Sequence, residues 1–239
     1  MNLQLTELKN ALTGQLRRND TVSNNLANAQ SFGFKKDKTF IEYVEDSKTG
    51  QKQQVSVNRV DFSQGTITQT HNPLDMAISG PGFFTIETEK GEAYTRNGHF
   101  SISNDGFLVS QTNDIVLGEH GRVHLSLDGM MQSNITVSPS GEIFADGKLI
   151  DRLLISQFSD TNQLSRGANN YFYASDELVP FQNDESTVYQ GRLENANLNT
   201  MDEMITMIEL QRHFESIQRV VSTLDDVLTK AATQVGRYQ

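Results

Sequence analysis

Between residues 210 and 235, Leu210, Phe214, Ile217, Val221, Leu224, Leu228, Ala231 and Val235 recur at alternating intervals of four and three. That spacing keeps one narrow seam on an α-helix and does not keep one face of a β-strand. The stretch 198–235 contains neither proline nor glycine. It predicts a single uninterrupted helix, capped by Asn197 or Asn199 and stopped by Gly236. A second row, Met201, Met204, Ile205, Met207 and Ile208, widens the apolar face at the helix start, and it is expected to remain exposed when the terminal helices pair.

The other end of the chain shows a thinner version of the same period. Leu5, Leu8, Leu12, Leu16, Val22, Leu26 and Ala29 recur every three or four residues, with a gap near residue 19. A helix over 3–30 is expected. A polar, basic-leaning stretch follows, and an extended connector over 35–71 with strands at 39–44 and 55–60 is the expectation. From residue 72 the period becomes two. Asn97-Gly98, Asp105-Gly106, Asp128-Gly129 and Asp146-Gly147 each suit a tight hairpin turn. Short apolar runs lie between them, among them Phe83–Ile86, Phe107–Val109, Ile135–Val137 and Ile143-Phe144. This punctuation implies a β domain rather than βαβ units.

The expected class is therefore α+β. Long N- and C-terminal helices pack as a helical assembly layer, joined by an extended connector to a central all-β domain. The domains read as 1–34 with 191–239, then 35–71, then 72–190. An isolated helix is marginal without a partner surface, so the two terminal helices are expected to pair. The row left uncovered then reads as an interaction surface joining subunits.

Composition narrows the function. The chain of 239 residues carries a net charge of −10, which argues against coating nucleic acid. It has no cysteine, which excludes disulfides, thiolate metal sites and cysteine nucleophiles. No apolar run approaches the ~18 residues of a membrane span. The start, Met1 to Leu8, lacks the basic and apolar parts of a cleavable Sec signal. A cytoplasmic protein and one exported with its N-terminus intact both fit.

The chemistry of sites is sparse. His120 and His124 have the spacing of a helical zinc pair, but Gly121 and the surrounding β pattern put them on a strand, about 13 Å apart. Gly80-Pro81-Gly82 lacks the Lys-Ser/Thr and the helix of a phosphate loop. Asp184-Glu185 and Asp225-Asp226 are neighbours that do not converge. No catalytic, cofactor-binding or metal-binding residue is expected, and no cofactor. Phe32-Gly33-Phe34-Lys35 reads as a helix stop, with Gly33 at positive φ and the two phenylalanines pinning the chain to the helix bundle. On that reading the β domain is indifferent to Gly33→Val.

Three motifs in order resemble the flagellar basal-body rod and hook protein family. Asn24-Asn25-Leu26-Ala27-Asn28 followed by Phe32-Gly33-Phe34-Lys35 is similar to its N-terminal signature. Asn72-Pro73-Leu74-Asp75, Gly80-Pro81-Gly82-Phe83-Phe84 and Tyr94-Thr95-Arg96-Asn97-Gly98 resemble the opening of its β domain. Asn195-Ala196-Asn197-Leu198 through Gln211-Arg212-His213-Phe214-Glu215 is similar to its closing helix. The brevity of 35–69 favours the proximal rod member. A distal rod or minor hook-basal-body paralogue is the runner-up.

The resemblance implies a non-enzymatic structural subunit of the bacterial flagellar basal body, located in the periplasmic rod. It implies export by the flagellar type III apparatus and polymerisation through the terminal helices into a torque-transmitting tube. The implied partners are copies of the chain, other axial rod proteins and the export apparatus, without nucleic acid or membrane insertion. The expected assembly residues are Leu26, Asn28, Gly33, Phe34, Met204, Met207, Ile208, Phe214, Ile217, Val221, Leu224 and Leu228. The rival class is a non-flagellar oligomeric β-domain binding module. Heterologous contacts that build an open helix would separate the first from a closed oligomer.

Overall fold

The computed structural model describes residues 2–45, 52–127, 130–131, 134–175, 177–182 and 185–235. For 2–11, 41, 43–45, 52–56, 126–127, 130–131, 224–226, 228–229 and 231–235 the description covers the backbone only. The chain divides into two compact units: Met1–Ala27 with Asp37–Arg59 and Asn199–Gln239, and Asn28–Lys36 with Val60–Leu198. Along the sequence it passes from one unit to the other four times.

The first unit holds the two α-helices found among the described residues, α1 (Asn2–Ala27) and α2 (Thr200–Val235). They pack against each other, and α1 also packs against a strand, Asp37–Glu45, which runs beside Lys52–Val60. The second helix follows the expected span closely. Asn199 is its cap: the side-chain Oδ1 accepts from the Met201 amide at 3.0 Å, which satisfies one of the donors that a helix start leaves open.

The second unit is all β. Among the described residues its largest sheet runs in the order Ser165–Arg166, Phe172–Tyr173, Gly91–Thr95, Phe83–Thr88, Ile115–Gly118, Leu108–Val109, Ser101–Ile102. Ile155–Ser156 adds to Phe83–Thr88 and Gly121–Arg122 to Ile115–Gly118. Every pairing is antiparallel. A separate three-stranded sheet joins Ile135–Val137, Glu142–Ala145 and Lys148–Arg152. Met76–Ser79 pairs with Thr187–Gln190, and Ile67–Gln69 with Arg192–Glu194.

One strand explains why the core is split. Along Phe83–Thr88 alternate side chains point to opposite faces. Phe84 and Ile86 enter a cluster with Met76, Ile78, Phe100, Leu108, Val116 and Ile143. Phe83 enters a second cluster with Tyr94, Phe158, Leu164, Phe172 and Leu178. A strand covered on both faces loses the in–out alternation: Phe83, Phe84 and Ile86 are apolar in near succession, and Thr85, buried between them, pairs its hydroxyl with that of Ser156 at 2.8 Å.

The expected fold class needs correction. The chain is mostly β-sheet, with one helix towards each end as the two α-helices among the described residues, so a helical layer does not define its class. One physical fact accounts for the difference. The polar stretch after α1 holds a long hairpin, Asp37–Glu45 with Lys52–Val60, that engages α1. The methionine row of α2 stays outside its buried seam, as expected of the row left uncovered. At roughly 100° per residue, Met201, Met204, Ile205 and Ile208 lie about half a turn round from Leu210, and all four are exposed.

The Asx-Gly pairs also divide. Asp146-Gly147 takes positive φ at both residues (49° and 80°) and closes a two-residue hairpin in which Ala145 faces Lys148, as a primed turn requires. At Asp105-Gly106 only the glycine has positive φ, 84°. Asp128-Gly129 lies outside the described residues. Asn97-Gly98 is not such a turn. Gly98 is there because a Cβ would collide with the Met76 carbonyl, and the Met76 amide donates to the Gly98 carbonyl at 3.0 Å. Gly98→Ala is expected to destabilise the β unit by about 1–3 kcal/mol, the cost of overpacking. Thermal denaturation checks this, and an unchanged midpoint would show that the two backbones can part freely.

Candidate functional site

Two groups of residues stand out, one in each unit. In the helical unit the contact between α1 and α2 is made by few apolar side chains. Leu210 is buried, while Phe214, Ile217 and Val221 are half-buried. Gln15 Nε2 donates to the Leu210 carbonyl at 3.0 Å. A cavity of about 220 Å³ remains among Gln15, Leu16, Asn19, Leu210 and Phe214.

The tightest joint of this unit is polar. The Asn25 side chain, 1 % exposed, accepts from the Asp37 amide at 3.0 Å and donates to the Asp37 carbonyl at 2.9 Å. An amide side chain thus stands in for a neighbouring strand. Asn25 also donates to Glu203 Oε2 of α2 at 3.4 Å. Next to it the Thr39 hydroxyl donates to Thr21 Oγ1 at 3.1 Å. One asparagine therefore ties α1, the first hairpin strand and α2 together.

The second group gathers in the β unit around a carboxylate. Glu194 ends the strand Arg192–Glu194 and is 1 % exposed. Its Oε1 accepts from Lys35 Nζ at 2.5 Å and from the Gly65 amide at 2.8 Å. Its Oε2 accepts from Arg96 Nη1 at 3.4 Å. Lys35 also donates to the Ser63 carbonyl at 2.8 Å, and Arg96 Nη2 to the Gly80 carbonyl at 2.7 Å. Two cations share one buried anion. Burial pushes the Lys35 ammonium below the ordinary lysine range, against the pull of Glu194. Burial lowers Arg96 in the same way, again opposed by Glu194.

The chain around Lys35 is held as closely as its side chain. Gly33 has φ 68°, and a Cβ there would overlap the Arg96–Asn97 backbone. Its amide donates to the Glu194 carbonyl at 2.7 Å. Phe34 is buried, with the Arg166 guanidinium 4.7 Å from its ring centroid, a cation–π contact. Arg166 also donates to the Lys35 carbonyl. Asn197 Oδ1 accepts from the Lys36 amide at 2.7 Å, and Asn197 Nδ2 donates to the Asp61 carbonyl at 2.7 Å.

This corrects the reading of Phe32 and Phe34 as pins to the helix bundle. α1 ends at Ala27, six residues before Gly33, and residues 28–36 belong to the β unit. Phe34 is buried there, and the Phe32 ring lies 6.4 Å from that of His99. Gly33 does take positive φ, yet its place is a β-unit crossing and not a helix stop.

The remaining expected residues scatter. Leu26 and Met207 are half-buried, and Met204 and Ile208 are exposed. Asn28 accepts from Ser31 through its carbonyl at 3.0 Å and its Oδ1 at 3.2 Å. The side chains of Leu224 and Leu228 lie outside the described residues. Sequence reasoning missed Asn25, Lys35, Arg96, Glu194, Asn197 and Glu203. All but Glu194 lie within the motifs that carry the family resemblance. His120 and His124 go separate ways: His120 Nδ1 meets Asp151 at 2.9 Å, and His124 Nε2 the Asp105 carbonyl at 3.0 Å. The Asp151 carboxylate raises the His120 pKa above the ordinary value.

Two family models match the chain: the C-terminal region of the flagellar basal body rod FlgEFG proteins over residues 189–234, and the D1 domain of flagellar hook protein FlgE/F/G over residues 77–145. Relatives cover nearly the whole length. The flagellar basal-body rod protein FlgF of Caulobacter vibrioides is 29 % identical over 232 residues, 93 % of this chain and 94 % of its own. FlgF of Rhizobium meliloti is 29 % identical over 238 residues, covering 97 % and 98 %. The basal-body rod protein FlgG of Bacillus subtilis is 29 % identical over 240 residues, covering 87 % and 90 %.

Gly33→Val brings a β-branched residue to a left-handed conformation and a side chain into a backbone contact. It is expected to destabilise the β unit itself, by roughly 2 kcal/mol or more. Chemical denaturation followed on the β unit checks this. A β unit as stable as wild type would place Gly33 outside its structure.

Proposed function

Because this chain belongs to the flagellar basal-body rod protein family, a family of structural subunits and not of enzymes, we propose that it is exported by the flagellar type III apparatus and polymerises through its terminal helices into the torque-transmitting axial tube. The chain is a structural component of the flagellar basal-body rod. Its partners are other rod components. We place it in the proximal rod, since the segment 35–69 is short for a distal rod subunit, and count copies of the chain and the export apparatus among its partners.

The observation that carries the polymerisation is the row on α2. Met201, Met204, Ile205 and Ile208 are 67 %, 44 %, 57 % and 50 % exposed, on the side of the helix away from Leu210. Apolar side chains grouped on one exposed helix face mark an interaction site, and methionine adapts its shape to a partner. The seam from Leu210 to Val221 serves a different purpose, holding α1 within the same unit.

Met204→Asp and Ile208→Asp separate assembly from folding. Both positions are solvent-facing, so each variant should stay within about 0.5 kcal/mol of wild-type stability. Each should be missing from isolated basal bodies and leave the cells non-motile. Leu210→Asp, by contrast, buries a charge between the helices and should loosen their pairing. Normal incorporation and swimming of the Ile208→Asp strain would overturn the role given to this row.

A further inference from the structure

Lys35 and Glu194 are 159 positions apart in sequence, and neither side chain touches solvent. The groups facing Lys35 come from several elements: Glu194 on the last β strand, Arg96 after the strand Gly91–Thr95, Asp61 in the loop beyond the hairpin, and the Arg166 guanidinium on the Lys35 carbonyl. Glu194 is the acceptor shared by Lys35, Arg96 and the Gly65 amide. Its own carbonyl takes the Gly33 amide. With Glu194 absent, two buried cations would lie together without the anion they share, a state that a buried site does not tolerate. The hairpin Phe83–Thr88 with Gly91–Thr95, by comparison, closes across a two-residue gap and needs nothing from either end of the chain.

We propose that the Lys35–Glu194–Arg96 cluster is a closure latch: the segment 28–36 docks into the β unit only once the strand Arg192–Glu194 is in place. In a chain delivered from one end, the residues just before α2 must arrive before those just after α1 can lock. The device makes completeness of the chain the condition for fixing the N-terminal segment, while local hairpins form without it. Asymmetry is its signature. Lys35 can be lost, since Glu194 keeps Arg96 and Gly65. Glu194 cannot, since no other carboxylate bonds both cations among the described residues.

Pulse-labelled hydrogen exchange during refolding of the full chain tests the order. The Gly33 and Gly65 amides should gain protection at least about tenfold later than those of the Phe83–Thr88/Gly91–Thr95 hairpin, as non-local closure does. At equilibrium and pH 7, Glu194→Gln should lower the protection factors of 33–36 roughly a hundredfold and leave the hairpin unchanged. Lys35→Met should stay within about tenfold of wild type. In the Glu194→Gln chain the docked state holds Lys35 below its ordinary pKa, so the undocked state binds more protons and docking strengthens as pH rises. Adding Lys35→Met to Glu194→Gln should abolish that recovery. Simultaneous protection of Gly33 and the hairpin overturns the latch, as does a Glu194→Gln chain protected like wild type. A Glu194→Gln chain that loses protection throughout the β unit makes the cluster a part of the general core, which also overturns it.

Discussion

A single carboxylate organises the β unit. Glu194 is deep enough that it must be neutralised, and the two cations that neutralise it come from two separate segments of the first half of the sequence, 159 and 98 positions before it. A buried ion cluster is poor at adding net stability, because desolvation consumes most of the attraction. Its strength is selectivity: a charge in the wrong place is far worse than an apolar residue in the wrong place. Three chain segments are thereby fixed in register. The glycines nearby follow from the same closeness. Gly33 lies against the Arg96–Asn97 backbone and Gly98 against the Met76 carbonyl, so the segments that bring the charges together approach too near for side chains between them.

The helical unit uses a neutral version of the same strategy. Leu210 is the one described residue of the α2 seam that is fully covered, which is little for so long a helix. The joint instead depends on Asn25, whose amide reads the Asp37 backbone from both sides and reaches Glu203. Such an asparagine specifies position, because each of its groups is satisfied in one arrangement only. Sliding α1 along α2 would leave buried donors and acceptors empty.

What the sequence disclosed depended on whether a residue's role was local. The long helix α2 was legible because its period repeats many times, and Asn199 stands at its start as one of two candidate caps. The hairpin turn at Asp146-Gly147 was legible because the dipeptide alone sets its φ angles. Asn97-Gly98 looked the same and was not, since its glycine serves a contact with Met76 that no local pattern records. The strands of 37–60 were visible as runs, but their union into a hairpin against α1 was hidden by polar composition. Least legible was the charged cluster. Lys35 and Arg96 look like solvated surface residues, and nothing near Lys35 announces a partner 159 positions on. The phenylalanines at 32 and 34 read as helix pins because the apolar period continues past Ala27, where α1 ends.

The exposed row of α2 has a chemical side as well. With no cysteine in the chain, methionine is its only sulfur, and Met201 and Met204 are both exposed. Oxidants convert methionine to the sulfoxide, which is polar and chiral. On a surface of four apolar side chains, two such conversions would exchange grease for dipoles without altering the fold beneath. The age and redox history of a free subunit are thus written on the same few atoms that it offers to its neighbours.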